Sequence, residues 1–285
     1  GTTKKGNRIL LDRRFVSADF RIVTGLVEPH FMAGYSGGRK VIAPGVAHAE
    51  TITTFHSARY MEDPLATNCN LDGNPLHEDQ LEIVEMVGGA LSMNVVIDEF
   101  RNLSFINFGE IISSHLEAVA FIRKYAEVKV PRRFKTVLTS CAGHPLDLTY
   151  YQTVKGMVGP LDILDKGGDL IVVSNCGEGM GSEEFVAAQK RLVKMGPSGF
   201  LNAISQKQYA DIDEWQTEMQ LKPMKVGSIY LYSEGLSDKD WLATGVNKVD
   251  NLQKCIEQSF VRHKQNKIAV IPEGPYVIPF FSNDG

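Results

Sequence analysis

Residues 134–174, FKTVLTSCAGHPLDLTYYQTVKGMVGPLDILDKGGDLIVVS, decide the fold. The apolar run at 134–139 reads as a buried strand and the following GHPLD as a tight turn. Residues 150–164 read as a helix despite Gly156 and Gly159-Pro160, and 169–174 as a second strand. Strand, helix and strand in this length make one βαβ crossover, which is right-handed in nearly all proteins.

The same alternation extends outward. Upstream, strands are expected at 20–27, 93–97 and 103–108, with helices at 47–56, 76–86 and 110–125. Asn74-Pro75 is the start signal of the helix at 76–86. Downstream, helices are expected at 183–194, 198–206, 211–220 and 249–263, with strands at 228–232 and 267–271. This is an α/β pattern: two lobes, with parallel or mixed sheets flanked by helices and βαβ units. KVPRRF at 129–134 marks the boundary. Residues 131–253 are expected to form the second lobe. Residues 1–130 are expected to form the first, rejoined by 254–285 because the strand at 267–271 needs partners.

Composition narrows the function. The chain has 285 residues, 43% hydrophobic and 22% charged, with a net charge of -4. Mean hydropathy is -0.12. These values belong to ordinary globular proteins. No apolar run approaches the ~20 residues of a membrane helix, and no long basic run favours nucleic acid. Cys69, Cys141, Cys176 and Cys255 form no CxxC pair and read as reduced thiols of a cytoplasmic protein. The chain opens on Gly1 and a polar run, GTTKKGNR, which reads as a start inside a longer protein.

Three places carry candidate chemistry. EPHFMAGYSGGRK at 28–40 is a Gly-rich loop after a strand. Its glycines allow close approach of backbone to a ligand, and its N–H groups suit anions. It has neither Walker A nor GxGxxG spacing. The competing reading is a structural turn with solvated Arg39 and Lys40. Second, His30, His48 and His56 are potential bases or metal ligands, but no pair has the i,i+4 spacing of a helical metal site. Third, Gln152 and Lys155 share one helix face beyond a strand-end turn, where α/β folds place ligands. There the competing reading is an N-cap by Asp147 with a solvated Lys155.

The stretch HFMAGYSGGRKVIAPGVAHAETITTFH, residues 30–56, resembles the nickel-dependent lactate racemase family. The resemblance implies that His30 is a catalytic acid–base, that Lys40 carries a covalently attached nickel-pincer nucleotide, and that His56 is a nickel ligand. YYQTVKG resembles the family's helix lining the substrate pocket, through Tyr151, Gln152 and Lys155. Trp215, in DEWQ, lies where the family has a pocket tryptophan. By this resemblance Lys155 and Gln152 stabilise the substrate's carboxylate or carbonyl oxygen, and Tyr151 and Trp215 form an apolar wall. The matches correspond to the family's C-terminal two-thirds. The first third of the family, with a second catalytic His and a carboxylate-binding Arg, has no counterpart here. His144 matches no catalytic position.

The implied activity is racemisation of a small 2-hydroxy acid through hydride transfer, with histidines moving the hydroxyl proton. Implied partners are the hydroxy acid and the enzymes that assemble the cofactor, which an isolated chain is expected to lack. Two other readings stay open: an epimerase of a larger hydroxy acid or sugar acid, and a cofactor-binding fragment without turnover. A phosphate-loop transferase is disfavoured by the absent Walker spacing.

Overall fold

The computed structural model describes residues 1–283. The chain divides into two compact units: Gly1–Ala126 with Gln208–Ala210, and Glu127–Lys207 with the described residues from Asp211 onward.

The first unit begins with α1 (Arg13–Val16), β1 (Ile22–Leu26), the two-residue strands β2 (Pro29–His30) and β3 (Gly34–Tyr35), and the short helices α2 (Arg39–Ile42), α3 (Ala49–Phe55) and α4 (Ala58–Met61). It continues with α5 (Pro75–Met86), β4 (Leu91–Ile97), β5 (Leu103–Glu110) and α6 (Ile111–Ala126). The start of α5 is as the sequence predicts: the Asn74 side chain accepts from the Leu76 and His77 N–H groups, with Pro75 in the first turn. At α6 the carboxylate of Glu110, the last strand residue, takes the N–H groups of Ile112 and Ser113. The sheet runs β1-β4-β5, parallel then antiparallel. Strand β4 alternates, burying Ser92, Asn94 and Val96. Asn94 spans to Ser114 of α6 at 3.1 Å, which fixes that helix on the sheet.

The second unit contains β6 (Glu127–Val130), β7 (Phe134–Ser140), α7 (Tyr150–Val158), β8 (Leu164–Val173), α8 (Glu183–Ser205), α9 (Glu214–Val226) and β9 (Ser228–Tyr232). After them come α10 (Asp238–Thr244), β10 (Asn247–Lys248), α11 (Leu252–His263), β11 (Ala269–Ile271) and β12 (Ile278–Phe281). Five parallel strands form one sheet in the order β10-β9-β8-β7-β11. Leu170, Ile171 and Val172 of β8 are all fully buried, so both faces of this strand are covered. Ile171 packs with Val249 and Cys255, toward α11. By the two-residue period, Leu170 and Val172 face the other side.

Several sequence expectations change. The helix expected at 150–164 ends at Val158, because Gly159-Pro160 turns the chain and Leu164 already opens β8. The two helices expected at 183–194 and 198–206 do stand as expected: α8 breaks between them at Gly196, whose φ 72° and ψ 165° are not helical, just before Pro197. The segment from 254 onward does not return to the first unit. Strand β11 pairs with β7, and β12 pairs with β6, which the boundary stretch itself supplies. Asp284 and Gly285, the end of that expected segment, lie outside the described residues. Among the described residues no helix is long and apolar enough to cross a membrane. All four cysteines are buried and form no disulfide among the described residues.

Candidate functional site

In the first unit the Gly-rich loop is a hairpin of β2 and β3, with His30 opposite Gly34. Ser36 closes its base: its hydroxyl donates to the Leu26 carbonyl at 2.7 Å and accepts from the Glu28 N–H at 3.0 Å. Gly38, at φ 48°, delivers the chain into α2; a Cβ there would lie 2.5 Å from Cγ of His115.

Arg39 is the loop's internal brace. It is 1% exposed, so the solvated reading fails for it. Its guanidinium donates to the Tyr35 carbonyl at 2.8 Å, the Ala33 carbonyl at 2.7 Å and His77 Nδ1 at 2.9 Å. His115 Nε2 lies 3.1 Å away and also contacts the Ser36 carbonyl. These neighbours are neutral groups. Burial draws Arg39 down to about 9, so it still carries its charge at neutral pH. Burial, reinforced by that charge, holds His77 at about 4 and His115 at about 3.

The expected site residues of this unit occupy three elements. His30 ends β2, stacked on Phe31 at 4.7 Å between ring centroids. Its Nδ1 accepts from the N–H groups of Ala33 at 3.2 Å and Met32 at 3.4 Å, which favours the tautomer with the proton on Nε2. Lys40, half-buried, is the second residue of α2. His56 caps the end of α3. Its Nδ1 donates to the Ile52 carbonyl at 2.7 Å, so the lone pair sits on Nε2. Burial, then the nearby Lys40 charge, lowers His56 to about 4. The structure therefore brings Lys40 and His56 within electrostatic reach and roots His30 in the loop that ends at Lys40. His48 is structural: its Nδ1 caps α3 through the Glu50 N–H.

The chemistry of this donor set suits a metal bound once by protein. A neutral imidazole with its other nitrogen hydrogen-bonded to a carbonyl is the usual form of a ligating histidine. Among the described residues no group of three His, Cys, Asp or Glu can hold a metal by itself. A metal at His56 thus needs donors from a bound group, and Lys40 is an amine suited to anchoring one.

In the second unit α7 starts where two turns zip together. The Tyr150 and Tyr151 N–H groups donate to the carbonyls of Gly179 and Met180, and the Cys176 N–H to Asp147. The cap of α7 is Thr149, which accepts from the Gln152 N–H at 3.3 Å; Asp147 instead takes the Asn175 N–H. Lys155 sits half-buried in the last turn. Gln152 Oε1 is buried without a hydrogen-bond partner among the described residues, an acceptor that a ligand hydroxyl would satisfy. Tyr151 and Trp215 meet: the indole Nε1–H donates to the phenol oxygen at 3.0 Å. Burial raises the Tyr151 phenol to about 12, so it stays neutral.

Sequence reasoning missed the burial of Arg39 and the part played by His77 and His115. For the two histidines, their place on helix faces that turn out to be buried was the available signal. For Arg39 no sequence signal separated a buried from a solvated guanidinium.

Comparison with known proteins gives the family and the fold. The family model of the lactate racemase N-terminal domain matches residues 1–68, and that of the lactate racemase C-terminal domain matches residues 131–279. Lactate racemase of Thermoanaerobacterium thermosaccharolyticum is 29% identical over 283 residues, covering 98% of this chain and 65% of its own length. Lactate racemase of Lactiplantibacillus plantarum is also 29% identical, covering 98% and 66%. The chain therefore spans slightly less than two-thirds of these relatives. The structure of the lactate racemase apoprotein from T. thermosaccharolyticum superposes with a TM-score of 0.91 at 28% identity, covering 98% of this chain and 67% of that one. A Thermotoga maritima protein at 15% identity and a TM-score of 0.67, covering 95% of this chain and 69% of that one, shares the fold alone.

Proposed function

The chain belongs to the lactate racemase family, and from that premise we propose that it serves the interconversion of the enantiomers of lactate or a similarly small 2-hydroxy acid. The observation that carries this reading is His56: a neutral imidazole, its Nδ1–H tied to Ile52 and its lone pair on Nε2, next to the Lys40 charge. In this reading Lys40 anchors a nickel-pincer nucleotide covalently and His56 ligates its nickel. When bound, that group supplies the acceptor and donor for the hydride of the substrate's α-carbon.

The chain's own residues do the rest. His30 exchanges the hydroxyl proton at Nε2. To accept a proton there, the ring must carry its other proton on Nδ1, so the long contacts to Ala33 and Met32 have to yield during the reaction. Lys155 offers a positive charge to the carboxylate or to the carbonyl oxygen of the ketoacid. Gln152 offers its unpartnered Oε1 to a substrate hydroxyl. Tyr151 and Trp215, joined to each other, form a wall against a small side chain.

The test is chiral product analysis on a panel of 2-hydroxy acids. The enzyme is loaded by coexpressed cofactor-assembly enzymes, and loading is verified by intact mass and nickel content. Either lactate enantiomer should give the racemate. His30→Ala should slow both directions by at least ~100-fold. No conversion of any member by verified loaded protein would defeat the racemase reading.

A further inference from the structure

Asp213 stands immediately before α9, with φ 60° and ψ 0°, in the left-handed region. Asp at a helix start ordinarily accepts a backbone N–H of the first turn, a contact worth about 1 kcal/mol. Asp213 makes no such bond. Its carboxylate is committed elsewhere. Ser182 donates to Oδ2 at 2.6 Å, and the carboxylate stands near enough to the Tyr151 phenol to help raise it. Ser182 is itself the cap of α8, accepting from the Phe185 N–H. The same Tyr151 oxygen receives the Trp215 Nε1–H at 3.0 Å.

Tyr151 is gripped on every other side. Gln216, 1% exposed, donates from Nε2 to the Tyr151 carbonyl at 2.7 Å. Phe185 meets its ring edge-on at 5.2 Å. A Cβ on Gly181 would lie 3.0 Å from the Tyr151 Cβ. A residue that gives up its helix cap and adopts a strained backbone has traded local stability for its side-chain contacts.

We propose that Asp213 is a positioning residue: its carboxylate, braced by Ser182, orients the Tyr151 hydroxyl, which in turn fixes the Trp215 indole. The hydroxyl is then fully engaged, donating to Asp213 and accepting from Trp215. Tyr151 therefore acts on the substrate through the shape of the wall and not through its own hydrogen bond. That last step rests on the reading of Tyr151 and Trp215 as the substrate wall. The positioning chain does not.

The test uses the whole chain. Trp241, the other of its two tryptophans, is replaced by Phe so that Trp215 alone fluoresces. Asp213→Ala should red-shift the emission and raise acrylamide quenching. Tyr151→Phe should do the same, and the double variant should go no further than either single one, because two residues acting through one contact are not additive. Asp213→Asn tolerates the left-handed backbone and keeps one acceptor oxygen, so it should fold and fall between wild type and Asp213→Ala. An unchanged Trp215 signal in Asp213→Ala, or additive effects with Tyr151→Phe, would overturn the proposal. Lactate shielding Trp215 from acrylamide would support the wall reading. Full coupling without shielding would leave the positioning chain standing and count against the wall.

Discussion

Two regions of the molecule hold site residues in place by opposite means. In the first unit a buried cation, Arg39, grips neutral acceptors: two loop carbonyls and His77. In the second, an anion, Asp213, takes the Ser182 hydroxyl and faces the Tyr151 phenol. The first device fixes backbone, so it sets where His30 and Lys40 stand. The second fixes side chains, so it sets the shape of a wall. A brace made of a cation among neutral histidines is open to acid, since protonating those rings adds positive charge beside it. A brace made of a carboxylate is not, until the carboxylate itself titrates.

Acid should therefore separate the two units most strongly. His56 and His77 at about 4, and His115 at about 3, all lie below the unfolded value of 6.5. The unfolded chain binds more protons below pH 6.5. The stability these rings contribute is thus complete above 6.5 and is lost as pH falls toward 4 and 3. Each shift is on the order of 3 kcal/mol. In the second unit Asp211, lowered chiefly by its hydrogen bond from Lys207, loses its contribution only below its usual 3.8. Amide exchange followed from pH 7 to 4 should show the first unit loosening while the second holds. Loosening of both together would break the contrast.

The next largest effect is expected at the brace itself. Arg39→Met leaves the Tyr35 and Ala33 carbonyls and His77 buried without their donor, which costs about 3 kcal/mol or more in denaturant unfolding of the first unit. Arg39→Lys should recover little, because one ammonium cannot reproduce the fork. Gly38→Ala should cost about 2 kcal/mol, since its Cβ meets the His115 ring at a φ of 48°. Smallest is Asp213→Ala, about 1 kcal/mol, the size of a lost polar contact. Its mark is on Trp215 fluorescence and not on stability. A larger stability loss there than at Arg39 would reverse the comparison.

How much of this was legible in the sequence follows the same division. The βαβ unit was readable because β7 and β8 are continuous apolar runs bounded by turn residues. The capped start of α5 was readable because Asn-Pro is a local signal. Strands β6 and β12 were not, because each is four residues long and exists only through pairing across the unit. For the same reason the segment beyond 254 was assigned to the wrong lobe. At the site, the spacing of His30, Lys40 and His56 was visible as a resemblance. The burial of Arg39 was not, since no local pattern distinguishes it from Lys40 beside it. Asp213 stayed hidden because its partners, Ser182 and Tyr151, come from 31 and 62 residues away in the chain.

The chain holds His56 as a neutral imidazole with its proton on Nδ1 and its lone pair on Nε2. Nitrogen-15 NMR of histidine-labelled protein reads this directly. We expect a protonated Nδ1 and an unprotonated Nε2 for His56, unchanged from pH 7 down to pH 5, with the signal lost on His56→Gln. A proton on Nε2, or titration of the ring near 6.5, would contradict it.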